Sequence, residues 1–258
     1  YIPLAGERMK GFVFVNPGDK YAITGVIPFT HIYNSSYPTY TLSPGIEFLG
    51  EGLKKFTGIR PLMTKSLYLY HYKSFRFPFF YIACGGEWRY FPFECERIRD
   101  YMLEGGFVVF ENLEPWEEAS PAEMSLKQFV HDTLGSRARI AIIPNDHPLY
   151  HCFFDFPDGP PIGSEYKIIN GTVHFRNIPY LEGIWIKDRL AGIFSNKGYG
   201  LLWNEPEKGD APMKMSVNMV VYALMHDGGK AEKRFDAELK PVIAVKRWLS
   251  AESPVILT

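Results

Sequence analysis

The chain has 258 residues, 46% of them hydrophobic and 22% charged, enough to bury a full core and too apolar for intrinsic disorder. Twenty-eight basic side chains stand against 29 acidic ones, and the resulting net charge of -1 supplies no field for a nucleic-acid backbone or an anionic membrane surface. No apolar stretch approaches the roughly 20 residues needed to span a bilayer.

Taken in order, Gly11 to Val15 is an apolar run ahead of Asn16-Pro17-Gly18-Asp19, which predicts an opening strand and a turn. Residues 21–42 carry Pro28, Pro38 and the rings Tyr21, Phe29, Tyr33, Tyr37 and Tyr40 with no helical or strand period, so they read as a long aromatic loop excursion from a single domain spanning 1–258. Ser43-Pro44 supplies an N-cap and a first-turn proline, and Ile46, Leu49, Leu53 and Phe56 form a helical stripe ending at Gly58. Gly45, Gly50 and Gly52 weaken that helix in isolation, which points to close packing. Leu62 to Tyr72 holds room for a second strand. Phe79 to Ala83 is then a continuous apolar run, as expected of a central strand covered on both faces. Pro92 opens a helix with Cys95, Ile98, Tyr101 and Met102 on its inner side, Gly105-Gly106 ends it, and Phe107 to Phe110 follows as the next parallel strand. A right-handed crossover sets the two strands side by side. Residues 84–87 and Glu111-Asn112 then emerge at the carboxyl edge, where open α/β sheets bind ligands.

Ser120-Pro121-Ala122-Glu123 is a capping box for a helix reaching Leu134, and Ile140 to Ile143 is a further strand stopped by Pro144. Phe153 to Phe156 looks strand-like. Asn170-Gly171 within 167–175 signals a type I′ hairpin, and Gly183 to Ile186 with Leu190 to Phe194 forms a second strand pair whose turn Asp188-Arg189 would stabilise as a pair. Val217 to Met225 is helical, and 230–258 is a charged C-terminal extension in which Val242 to Val245 docks as a strand. The expected fold class is α/β, a three-layer sandwich with a mostly parallel sheet and extra antiparallel hairpins in the C-terminal half.

No GxSxG, GxCxG, P-loop, GxGxxG or HExxH motif is present. Cys84, Cys95 and Cys152 lack zinc-ligand spacing and disulfide density and read as buried thiols. Cys84 precedes Gly85-Gly86, but a thiolate needs a nearby base or positive charge, and the glycines serve a tight turn. Asn145-Asp146-His147 follows a strand, which places it at the same edge as Glu87 and Glu111. Glu87, Glu111, Asp146 and His147 are therefore the candidate acid–base set, with Gly85, Gly86, Asn112, Asn145, Ser195 and Asn196 as candidate ligand-binding residues. The bland alternative has Asp146 capping a turn and orienting His147. His147 and His151 are four apart, but Pro148 between them argues against a metal pair, and no metal or cofactor is expected. Asn34-Ser35-Ser36 and Asn170-Gly171-Thr172 are glycosylation acceptor patterns, relevant only in a eukaryotic secretory route.

The succession FPFFYIACGGEW, RIRDYMLEGGFVVFEN, IPNDHPLYHCFFDF, LEGIWIKDRLAGIFS with LLWNE, and NMVVYALMHDG resembles the bacterial family called domain of unknown function 4159 over about residues 10–228. That resemblance implies a flavodoxin-like sheet, because the family is related to class I glutamine amidotransferases and to trehalose-utilisation proteins. In amidotransferases a catalytic cysteine sits on the elbow after the strand matched here by Gly106 to Phe110. This chain has Glu111-Asn112 there. The resemblance therefore implies a scaffold without glutaminase chemistry, and many members are exported, which agrees with a chain that starts at Tyr1 without methionine and gives the expectation of a periplasmic protein. The favoured expectation is a non-catalytic binding or assembly protein that meets another chain, or its own copy, through Tyr21, Phe29, Tyr33, Tyr37 and Tyr40. The alternative is an acid–base enzyme or binding protein for a small polar ligand, such as a carbohydrate, at the carboxyl edge.

Overall fold

The computed structural model describes residues 11–36, 41–71 and 76–234; Tyr37, Tyr40 and residues 242–245 lie outside them. The chain opens with β1 (Phe12–Asn16) and turns at Pro17-Gly18 into β2 (Asp19–Phe29). β2 corrects the expected loop over 21–42, because its residues 21–29 occupy most of the first half and Ile23, Val26, Ile27 and Phe29 are buried. Pro28 concealed it. The β1 ladder ends at Phe12 opposite Val26, so the N–H that proline lacks is not needed on that side. Two residues of β3 (Ile32–Tyr33) follow, then α1 (Ile46–Phe56), β4 (Gly58–Met63) and β5 (Leu67–Tyr68). Gly45, not Ser43, caps α1, with a left-handed φ of 71°; Ser43 Oγ instead accepts a 2.8 Å bond from the Ile32 amide. Gly50 packs against Pro61 of the sheet, as expected, whereas Gly52 meets Met213 of the last helix.

The central unit is β6 (Phe79–Cys84), α2 (Pro92–Leu103) and β7 (Phe107–Asn112), with β6 and β7 parallel from Phe79 opposite Phe107 to Cys84 opposite Asn112. Ser120 Oγ accepts from the Glu123 amide at 3.1 Å and starts α3 (Pro121–Leu134), which leads to β8 (Arg139–Ile142). Residues 153–156 form no strand. Their backbone is held instead by the Asn218 side chain, which accepts from the Phe154 amide and donates to the carbonyls of Leu149 and Phe154. Next come β9 (Tyr166–Ile169) and β10 (Thr172–Phe175), joined by Asn170-Gly171 with φ of 51° and 77°, the two positive values a type I′ turn requires. β11 (Glu182–Ile186) and β12 (Arg189–Ser195) turn at Lys187-Asp188, so Arg189 belongs to the strand and donates to the Met102 carbonyl rather than pairing with Asp188. α4 (Asp210–Met225) starts earlier than its apolar stripe, and β13 (Glu232–Arg234) runs parallel to β1.

The main sheet has the order β6-β7-β12-β11-β8. β6, β7, β12 and β8 run in one direction and only β11, between β12 and β8, runs against them, so the sheet is mixed with four of its five strands pointing the same way. The hairpin into β12 returns the chain alongside β7 without a crossover helix. Alternate residues divide the core: Phe79, Tyr81, Phe107 and Val109 pack with α1 and α4, whereas Phe80, Ile82, Val108 and Phe110 pack with α2 and α3. Helices thus cover both faces of this sheet. β1, β2, β4 and β13 form a second, mixed sheet in the order β13-β1-β2-β4.

Candidate functional site

The carboxyl edge of β6, β7 and β12 collects the polar residues that the sequence pointed to, and the structure buries most of them. Glu111 is the last residue of β7 on the α1/α4 face. It is 1% exposed and accepts bonds from Tyr81 Oη (2.7 Å), Ser195 Oγ (2.9 Å) and the Gly200 amide (2.9 Å). Burial pushes its carboxyl above the ordinary range, and the Tyr81, Gly200 and Ser195 donors pull it partly back. Asn112 and Asn196 face the other way. Asn112 Nδ2 donates to Asn196 Oδ1 at 2.9 Å, and Asn196 Nδ2 donates to Glu123 Oε1 at 3.1 Å, on the first turn of α3. Glu123 also takes Lys127 and Arg176; burial alone would raise its pKa, but those two cations bring it down to about 2.

Lys197 completes this edge. It is 2% exposed, donates to the Ile178 carbonyl at 2.8 Å and forms an ion pair with the wholly buried Glu165. Burial lowers its pKa, against the opposing pull of Glu165. Ser195, Asn196 and Lys197 therefore have their polar atoms spent within the chain, and the space expected of a ligand crevice is filled by the protein's own side chains. Sequence reading missed Tyr81, Glu165 and Arg176, which lie far along the chain from their partners Glu111, Lys197 and Glu123, and it took Glu123 only as part of a helix-capping box; the polar run after the β12 strand, which contains Lys197, was the one available signal.

Asp146 and His147 are elsewhere. Trp185 pairs with Arg139 and Leu190, at the opposite, amino-terminal end of β8 and β12, and the His147 ring meets it edge-on at 5.4 Å. After Pro144 the chain turns back under the sheet instead of projecting from its edge. His147 Nδ1 accepts from the Leu149 amide at 3.1 Å, its other neighbour is Tyr222, and burial lowers its pKa against the raising effect of Asp146. Asp146 and Asn145 are exposed, and His151 donates through Nε2 to the Asn145 carbonyl. Glu87 is exposed with Arg89 at 3.5 Å. The four candidate acid–base groups are thus not brought together. No cluster of three potential metal ligands occurs among the described residues.

One opening lies at the end of β6. A cleft of about 290 Å³ is lined by Asn34, Thr41, Leu42, Cys84, Gly85 and Glu87 among others, between the approach to α1 and the β6–α2 turn. Gly86, with φ of 82°, shapes that turn. The Cys84 thiol beside it is pushed up to about 12 by burial, the reverse of what a nucleophile needs. Asn34 is buried and donates to the Arg89 carbonyl, so it is not a free glycan acceptor. Trp88 and Glu87 connect the cleft to a shallower groove along the start of α3, lined by Tyr90, Phe91, Met124 and Ser125.

This arrangement can hold a small molecule or a segment of chain at its rim. A family model described as Domain of unknown function (DUF4159) matches residues 35–224. The chain belongs to that family. The match takes in β6, β7, β12, all four helices except the last residue of α4, the sealed edge and the cleft apart from Asn34. No curated protein gives a match. No helix among the described residues is long and apolar enough to cross a membrane.

Proposed function

We propose that this chain is a non-catalytic binding or assembly protein, an amidotransferase-like, flavodoxin-like scaffold that works outside the cytoplasm and has given up the chemistry of its elbow. The carrying observation is Glu111: at the position where the resemblance places a nucleophile stands a buried carboxylate saturated by three donors. The partner surface moves from where the sequence put it. Phe29 is buried, and Tyr21, although 57% exposed, packs edge-on against Phe153. Tyr33 instead begins a continuous line of rings, Tyr33 to Tyr68 (6.5 Å), Tyr68 to Tyr70 (5.7 Å), Tyr70 to Phe93 (5.4 Å) and Phe93 to Phe91 (5.3 Å). The last four are 41–43% exposed, and Phe91 borders the groove beside the cleft. Aromatic side chains of this kind anchor protein interfaces at low cost in rotamer entropy.

Purification of the native protein from its source, followed by sizing and identification of whatever co-migrates, is the test. A partner retained by the wild type and lost from a Tyr70→Ser, Phe93→Ser variant supports the reading; measurable turnover that depends on Glu111 or Cys84 rejects it. The cleft supports a second reading, a small polar ligand held by Gly85, Glu87 and their neighbours. Its volume is near the lower limit of ordinary ligand pockets.

A further inference from the structure

The hairpin of β9 and β10 pairs with no other strand among the described residues. Its register sets Ile168 opposite Val173 and Tyr166 opposite Phe175, gathering those four on one face, with Lys167, Ile169, Thr172 and His174 on the other. Beyond Tyr166, which Lys208 covers at the root, this face is bare: Ile168, Val173 and Phe175 are 64%, 61% and 49% exposed. A lone two-stranded hairpin is marginal in water, yet this one is rooted. The Arg176 amide donates to the Glu165 carbonyl at 2.8 Å, and its guanidinium reaches Glu123 at 2.9 Å.

The root leads to a second bare surface. Glu123 also holds Lys127, and Lys127 reaches Glu182, which is paired with Ile142. β8 is the outermost strand of the main sheet, and its alternate side chains Ile140 and Ile142 are 44% and 58% exposed. Arm and strand edge therefore lie on one side of the molecule.

We infer that a second copy of this chain covers both, the arm of each protomer lying with its apolar face over Ile140 and Ile142 of the other about a two-fold axis. Area selects a second copy over an unrelated partner. One hairpin face offers a few hundred Å², short of the roughly 800 Å² per partner of a stable interface, whereas a two-fold contact uses both arm and receiving edge on every chain. Each chain also carries both halves of the match, apolar side chains two residues apart on the arm and on the edge. A net charge of -1 leaves little repulsion between copies.

Sedimentation of the full chain over a concentration series tests this. The wild type is expected to dimerise, and Ile168→Lys with Val173→Lys, both on exposed side chains, to weaken the dimer about a hundredfold, tenfold for each substitution, with the circular dichroism spectrum of the diluted monomer unchanged. In a Val173→Cys, Ile142→Cys variant, oxidation should link copies into a covalent dimer. A wild type that stays monomeric at every concentration, a dimer indifferent to the two lysines, or a Cys pair that closes only within one chain overturns the inference. The arm and the aromatic strip are on different elements, so a monomer that still takes a partner at the strip overturns this inference and leaves the proposed function standing.

Discussion

Glu111 shows how one residue can look catalytic in sequence and be structural in space. Its two oxygens serve three donors, and a glutamine can serve them nearly as well: its carbonyl keeps Tyr81 and Gly200, and its amide donates to the Ser195 hydroxyl, which can turn. Glu111→Gln should therefore hold the urea midpoint close to wild type, while Glu111→Ala strands three buried donors and should cost about 3 kcal/mol or more. A Gln variant as unstable as the Ala variant would refute this account. Two other residues set the acid limit. Burial holds His226 down at about 4, so its stabilising contribution is complete above its ordinary 6.5 and is lost as pH falls through 4. Glu123, held at about 2, contributes above its ordinary 4.5 and loses that contribution as pH falls towards 2, at most on the order of 3 kcal/mol. Glu111, raised by burial, works in the opposite direction, destabilising as pH rises above the ordinary carboxylate value. Thermal midpoints should fall in two steps on acidification, the first removed in a His226→Phe variant and the second in Glu123→Gln. A midpoint flat from pH 7 to 4 would contradict the first assignment.

Among the elements, those bounded by chemical punctuation were legible and those held by distant partners were not. Ser120-Pro121 and Glu123 gave the start of α3, Gly105-Gly106 the end of α2, and Asn170-Gly171 the turn of the hairpin, because each signal acts within a few residues. β2 was hidden by Pro28 and Gly25, whose tolerance depends on where β1 stops and on how closely the Phe12 carbonyl approaches. The exposed arm was seen as a hairpin, but nothing local told that both its strands would stand clear of the body. Gly105 offers a direct check on the α2 end. With φ of 99° and the Gly228 carbonyl where a Cβ would sit, Gly105→Ala should destabilise by about 2 kcal/mol or more, read as a lower thermal midpoint. An Ala variant as stable as wild type would show that α2 does not depend on this approach to Gly228.

At the level of the whole molecule, the parallel pair β6–β7 and helices on both faces of the sheet followed from buried apolar runs alternating with capped helices. The strand pair of β11 and β12 followed as well, but not its insertion into the main sheet between β7 and β8, which no local signal specifies. The site was legible only as a region. Strand ends at one edge brought Glu111, Asn112, Ser195 and Asn196 together as expected, but whether such residues face a ligand or one another depends on Tyr81, Glu123 and Lys197, which no spacing rule connects to them. The buried Lys197–Glu165 pair is the costliest of these links to break. Lys197→Met leaves Glu165 charged and enclosed and should cost about 3–5 kcal/mol, while the double change Lys197→Met, Glu165→Leu should recover most of it. A single variant as stable as the double would place no net value on the pair.

The pairing of β1 with β13 carries a consequence for the order of synthesis. β1 and β2 leave the ribosome first among the described elements and can form their hairpin at once, but the strand that takes the other side of β1 is the last to emerge. Throughout translation the row Phe12, Val13, Phe14 waits with one ladder incomplete, an apolar edge of the kind that recruits stray strands. Ribosome-bound chains halted before Glu232 should accordingly be cut by protease near β1 faster than chains halted well beyond Arg234, and equal cutting of the two would mean that this edge is covered before β13 arrives.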